Sequence, residues 1–347
     1  MSNDPDFTKG VLLIFVGAFA SASFGVIINK IRAWRWEHLW LVYSFFGMLA
    51  VPWTIGFFTV PKLFGVLFSA RGTDLTLIFL YGVGWGLGSV LYGLALKRVG
   101  VALSQAVVVG LTAAVGSLAP MVLLHPEYVP TVRGKVIISG VLLIVFGVSL
   151  SAWSGQLRAR KLQKETNSPH VASGSFNMGL VFALLSGLFS PMLNLSFAYG
   201  APLAQIARGH GADPMFEANA IWVIALTGGF LVNAGYCAYL ISKGGSWSVF
   251  SNQYFHYWLG FLMGVLWSAG PIFYGFGSAN LGELAAVVGW VLLSSLSIIS
   301  ANFWGGIAKE WANSGTKPFL VMLSSIVVLC IGMAVVAWGN TLGHSIH

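Results

Sequence analysis

Charge is what this chain lacks most. Lys, Arg, Asp and Glu make up 8% of its 347 residues, against about 25% in a soluble domain. Apolar residues reach 57%, aromatics 14%, and mean hydropathy is +0.82. Such a chain has too little polar surface to cover a water-facing globule, so the bilayer is expected to be its solvent. Cysteine is almost missing. Cys237 and Cys330 lie inside apolar runs with no metal-ligand spacing, and both read as small packing residues. No Lys or Arg falls at mid-membrane depth, which disfavours nucleotides, phosphates and organic acids as substrates. No phosphate-cradling loop, catalytic triad or metal spacing occurs. "GWGLGS" is glycine-rich but follows no strand, so ATP hydrolysis is not expected. The chain is read as a non-enzyme with no cofactor and no metal. The net charge of +8 sits in short loops between apolar runs. It therefore points to membrane topology and headgroup contact, not to nucleic acid. The first apolar run is followed by no small-residue cleavage site, and no removable signal peptide is read there.

What is present is a series of apolar runs, each able to cross a hydrocarbon core of about 30 Å. They cover 10–29, 39–59, 75–97, 101–123, 133–153, 177–199, 217–242, 255–277, 281–303 and 318–338. The runs do not alternate as barrel strands would, so helices are required. The expected fold class is an all-α integral membrane protein with ten transmembrane helices. Loops after the odd-numbered spans hold twelve Lys and Arg, including Lys30, Arg32, Arg35, Lys97 and Arg98, against six on the other side. This bias predicts that both termini lie outside the cytoplasm. Residues 154–176 form the longest polar stretch and are expected to be a cytoplasmic linker. It separates a first five-helix half, 1–153, from a second, 177–347.

The two halves repeat a pattern. Trp85, Gly88, Tyr92, Gly93 and Gly100 match Trp267, Gly270, Tyr274, Gly275 and Gly282, each at an offset of 182. Gly147, Ala152 and Trp153 match Gly332, Ala337 and Trp338 at an offset of 185, and the helix 1 stretch at Gly17 matches that at Gly187 in helix 6. An odd number of crossings per half turns the second half over. The expectation is two inverted repeats of five helices, an architecture of secondary transporters. Duplication without functional symmetry is the plainer alternative. Pro52, Pro191 and Pro271 lie inside spans and predict kinks.

Three acids open spans: Glu37, Glu217 and Glu283. Each would complement a helix dipole. Glu283 follows a loop without Lys or Arg, so burial could raise its pKa. It is the first candidate for proton coupling, with Glu217 second and Glu37 beside them. His125 reads as interfacial. Hydroxyls, amides and rings recur at helical spacing: Trp85, Ser89 and Tyr92 on helix 3; Ser190 and Asn194 on helix 6; Trp267 and Tyr274 on helix 8; Trp290 and Ser294 on helix 9. Any one of them could be helix–helix glue. Together they suit a neutral polyol, whose C–H faces stack on rings while its hydroxyls exchange hydrogen bonds. These nine residues are the candidate substrate site.

Several stretches carry a family resemblance: "IRAWRWEHLW", "GWGLGSVLYGLALKRVG", "SGQLRARK", "GLVFALLSGLFS" and "AKEWANSGTKP". They resemble the L-rhamnose–proton symporter family of the drug/metabolite transporter superfamily. The best of the motifs are Trp36-Glu37, the Trp85 to Gly100 pattern and Lys309-Glu310-Trp311. The resemblance implies a ten-helix, five-plus-five protein that takes up sugar with protons across a bacterial inner membrane. Helix 9 departs from the family. An acid stands before the matching tryptophan in those symporters, whereas the positions before Trp290 are apolar here, and Glu283 is the nearest substitute. The expected partners are a sugar such as L-rhamnose, a proton and the lipid bilayer, with a monomer as the simplest assembly. A metabolite or drug exporter of the same superfamily is the alternative within transport. From other classes, a sugar sensor or a membrane enzyme using His125, Glu127 or His256 remains open.

Overall fold

The computed structural model describes residues 6–28, 34–166, 173–251, 254–309, 311 and 314–342. Regular structure among the described residues is helical throughout. In chain order it comprises α1 (Phe7–Ile28), α2 (Trp36–Ser44), a π-helical segment (Phe45–Ala50), α3 (Val51–Thr59), α4 (Leu63–Ser69), α5 (Gly72–Leu124), α6 (Val132–Thr166), α7 (Ser173–Phe189), α8 (Met192–Tyr199), α9 (Ala201–Gly209), α10 (Asn219–Lys243), α11 (Tyr254–Ser278), α12 (Ala285–Ile307) and α13 (Thr316–Thr341). Ten stretches of these helices are long and apolar enough to cross a membrane. They agree with the ten runs read from the sequence. The expected positions Lys30, Arg32 and Glu310, and residues 167–172 of the expected linker, lie outside the described residues.

Three local expectations change. No loop separates the third and fourth spans, because Gly72–Leu124 is one helix. The junction "LKRVGVALSQA" holds one glycine and no proline. A lone glycine costs a helix about 1 kcal/mol relative to alanine, too little to break one already propagating. The linker expected at 154–176 is helical in its first part, since α6 runs on to Thr166. Its residues "GQLRARKLQKET" are mostly strong helix formers without proline. Span six does break, between Phe189 and Met192, where Ser190 and Pro191 form a turn. Span two accommodates Pro52 differently. Proline cannot bond back to residue 48, and the preceding turn, Phe45–Ala50, widens to π-helical pitch.

Contacts divide the chain into two compact units. Unit 1 comprises Met1–Val90 and Met192–Gly282, and unit 2 comprises Leu91–Pro191 and Glu283–His347. Each therefore draws on both halves of the sequence. Within unit 1, α1 lies along α11 through Gly10 and Gly17 on one helix and Gly270 and Gly277 on the other. A Cβ added at Gly277 would stand 2.6 Å from the Gly10 carbonyl oxygen. Within unit 2, α6 lies along α13 through Gly140, Gly147, Gly332 and Gly339, and a Cβ at Gly332 would stand 3.2 Å from the Gly140 carbonyl oxygen. In all four helices the two glycines are seven residues apart. That spacing keeps the missing side chains on one face, so the backbones can meet where lipid offers no hydrophobic drive.

Candidate functional site

The duplicated tryptophans meet in unit 1. Trp85 and Trp267 each lie thirteen residues into a 25-residue span, at its middle. Their rings stack, with centroids 5.3 Å apart and planes at 23°. Gly229 of α10 makes room for the Trp85 ring, since a Cβ there would stand 2.6 Å from it. Tyr43 of α2 meets Trp267 edge-on at 5.9 Å and tilts against Trp40 at 4.8 Å, while Phe24 of α1 stacks on Tyr43. Both tryptophans of the stack remain partly exposed.

A single amide organises the polar side of this cluster. Asn233 of α10 is fully buried. Its Oδ1 accepts from Trp40 Nε1 at 2.9 Å and from the Ser89 hydroxyl at 3.1 Å, and its Nδ2 donates to the Gly229 carbonyl at 2.9 Å. An amide in an apolar span is costly unless its groups are bonded, and two of the three bonds made by this one tie α2 and α5 to α10. Glu37 sits three residues before Trp40 on α2. It is paired with Arg35 at 3.1 Å and is 13% exposed. Trp36 stacks on Trp40 at 5.1 Å, and Cys237, one turn beyond Asn233, is within electrostatic reach of Glu37.

The other candidates are placed as follows. Asn194 and Tyr274 find each other in unit 1, with the phenol donating to the amide oxygen at 2.6 Å. Both are wholly buried, and Phe197 and Trp222 pack on the Tyr274 ring. In unit 2, Tyr92 packs with Phe182 against Ala95, Val108 and Ala183. Trp290 is buried, fills the space that Gly116 leaves, and donates from Nε1 to the Thr112 carbonyl at 3.1 Å. Ser294 bonds back to the Trp290 carbonyl, and Ser190 lies in the turn between α7 and α8. Of the acids, Glu217 is held in a two-pronged pair by Arg208 at 2.7 and 2.9 Å. Glu283 is exposed, so the burial expected for it is not formed, and its carboxylate accepts a hydrogen bond from Tyr128. That bond favours the protonated phenol and raises the Tyr128 pKa.

Sequence reasoning missed Asn233, Trp40 and Tyr43. The signal for Asn233 was available: it is an amide within the apolar run "GGFLVNAGYC", and polar groups at that depth usually have a purpose. Trp40 and Tyr43 carry no comparable mark.

Ten apolar spans define a multi-pass membrane protein, and the paired tryptophans form a half-buried patch at mid-span. The profile of the L-rhamnose-proton symport protein (RhaT) matches residues 1–342, and the chain belongs to that family. Among curated proteins it is similar to the L-rhamnose-proton symporters of Enterobacter sp. (strain 638) and Klebsiella pneumoniae (strain 342). Each is 29% identical over 96% of this chain and 98% of the relative. The L-rhamnose-proton symporter of Escherichia coli O17:K52:H18 is 27% identical over the same shares.

Proposed function

We propose that this protein is a secondary carrier that brings a neutral sugar, L-rhamnose or a near stereoisomer, across a bacterial inner membrane together with a proton. The observation that carries the reading is the mid-span cluster of Trp85, Trp267, Ser89 and Asn233. Indole faces suit the C–H surface of a deoxyhexose, and Ser89 offers a hydroxyl oxygen beside them. The names of the relatives support the same substrate and ion. The sugar leaves chemically unchanged, and the chain acts as a monomer.

Glu37 is the proton carrier in this reading. Two features favour it over Glu217 and Glu283: it is the least exposed of the three, and it shares a helix face with Trp40. A bare carboxylate is costly to carry through an apolar closed state, and protonation removes that cost. The two five-helix halves are inverted repeats, with both termini periplasmic. Trp85 stacked on its repeat counterpart Trp267, and α6 packed on its counterpart α13, support that relation.

Uptake of labelled L-rhamnose into proteoliposomes tests this. An inward proton gradient is expected to drive accumulation, and Glu37→Gln is expected to abolish accumulation while leaving sugar-for-sugar exchange. Accumulation that ignores the gradient would remove the proton. Equal loss of both activities in Glu37→Gln would remove Glu37 from the coupling role.

A further inference from the structure

We infer that Asn233 is a positioning residue that transmits proton binding at Glu37 to the sugar contact at Ser89. The inference rests on the proposed reading of Glu37 and of the tryptophan cluster, and it adds the link between them. One oxygen, Asn233 Oδ1, takes hydrogen bonds from two helices at once: from Trp40 on the helix that carries Glu37, and from Ser89 on the helix that carries Trp85. The amide itself cannot drift, because its Nδ2 is held by the Gly229 carbonyl of its own helix, and that same glycine seats the Trp85 ring.

The bonding pattern sets what Ser89 can offer. Its proton points at Asn233, so its oxygen presents lone pairs to the site and accepts from a sugar hydroxyl. Glu37 and Trp40 are three residues apart and lie on neighbouring parts of one helix surface. When Glu37 is charged, Arg35 holds it; Cys237 of α10 is set against it, and Tyr236 of α10 packs on the neighbouring Trp36. When Glu37 is neutral that pull is gone. A shift of α2 then moves the Trp40 indole, changes its claim on Oδ1 and changes the hold on Ser89. Coupling of this kind is reciprocal, so sugar binding must favour the protonated carboxylate to the same degree. A residue that only glues helices would not show this. Its loss would weaken the protein equally at every pH.

The test is L-rhamnose affinity of the purified full-length protein, read by tryptophan fluorescence at one acidic and one mildly basic pH. The wild type is expected to bind about tenfold more tightly at the acidic pH, within the usual range of coupling between two sites. Asn233→Leu is expected to reduce that ratio to less than about twofold, while Asn233→Gln, which keeps an acceptor oxygen and adds no titrating group, preserves most of it. Trp40→Phe serves if Asn233→Leu does not fold, since it removes one donor and keeps the ring; it too is expected to flatten the ratio. A folded Asn233→Leu or Trp40→Phe protein with the wild-type ratio overturns the inference alone. Wild-type protein that binds no sugar, or binds it without pH dependence, overturns the underlying reading and the inference with it.

Discussion

The two units are packed alike and wired differently. Each has a pair of helices closed along glycines seven residues apart, α1 with α11 in unit 1 and α6 with α13 in unit 2. Their polar side chains behave otherwise. In unit 1 several bond helix to helix: Trp40 and Ser89 to Asn233, Trp53 to Thr227 and Tyr274 to Asn194 within the spans, and Asn219 to Thr59 at span ends. In unit 2, Ser294, Ser295 and Ser149 bond back to carbonyls one turn earlier on their own helices, and Trp290 reaches a backbone carbonyl. Side-chain pairs between elements in unit 2 include Tyr128 with Glu283 and Arg133 with Asn340, both near helix ends. A bond back to one's own helix travels with that helix and cannot sense its neighbours. A bond between side chains of two helices breaks or re-forms when either moves or when a ligand competes. The bonds that join Trp40, Ser89 and Asn233 are of this second kind, and they lie in unit 1.

The comparison can be broken by substitution. The largest effect is expected at the ring pair. Trp267→Ala removes a stacked indole worth about 2–3 kcal/mol to a bound sugar, a loss of roughly 30- to 150-fold in uptake efficiency. Trp290→Phe in unit 2 should change uptake by less than about threefold, having lost one hydrogen bond to a backbone carbonyl. Equal losses in proteoliposome uptake would erase the distinction.

The glycine seams sharpen the likeness. Gly277→Val in unit 1 and Gly332→Val in unit 2 should each destabilise by about 1–3 kcal/mol, because the new side chain meets backbone at close range. Thermal melts of the two variants should fall together. A seam that tolerates valine would not be close-packed.

Smaller effects separate the serines. Ser89→Ala should weaken sugar affinity by about fivefold, the worth of one hydrogen bond of about 1 kcal/mol. Ser294→Ala should leave affinity within about twofold, since its hydroxyl is already taken by its own helix. The smallest effect is at Tyr128. Its raised pKa means that any stability from its bond to Glu283 is fully present below the ordinary phenol pKa, near 10. That stability is lost as pH rises through the folded-state value. The melting difference between wild type and Tyr128→Phe should therefore be flat through neutral pH and shrink only in strong alkali. A difference that changes near neutrality would place another titrating group in this contact.

Much of this was legible from residue order. Apolar runs mark the ten spans because lipid tolerates no unbonded backbone, and counting them needs no tertiary knowledge. The repeated spacing of Trp85 and Trp267 marked both as special, and their rings stack on each other. The same reasoning grouped Tyr92, Trp290 and Ser294 with them, and the contacts described for these three lie in unit 2. Helical spacing says which residues share a face and not what that face meets. Glu283 shows the same limit. A loop without basic residues suggested a buried acid, and the carboxylate is exposed with Tyr128 as its partner.

The sequence by itself determined the solvent, the number of spans and the prominence of the paired tryptophans, because hydropathy and spacing are local and survive in any fold that crosses a bilayer. Only the tertiary structure decided that Asn233 takes bonds from both Trp40 and Ser89, that Glu37 pairs with Arg35 and that Glu217 is held by Arg208. Those facts depend on which helices become neighbours, and in an apolar solvent that choice rests on close backbone approach and a few polar bonds that no run of residues displays.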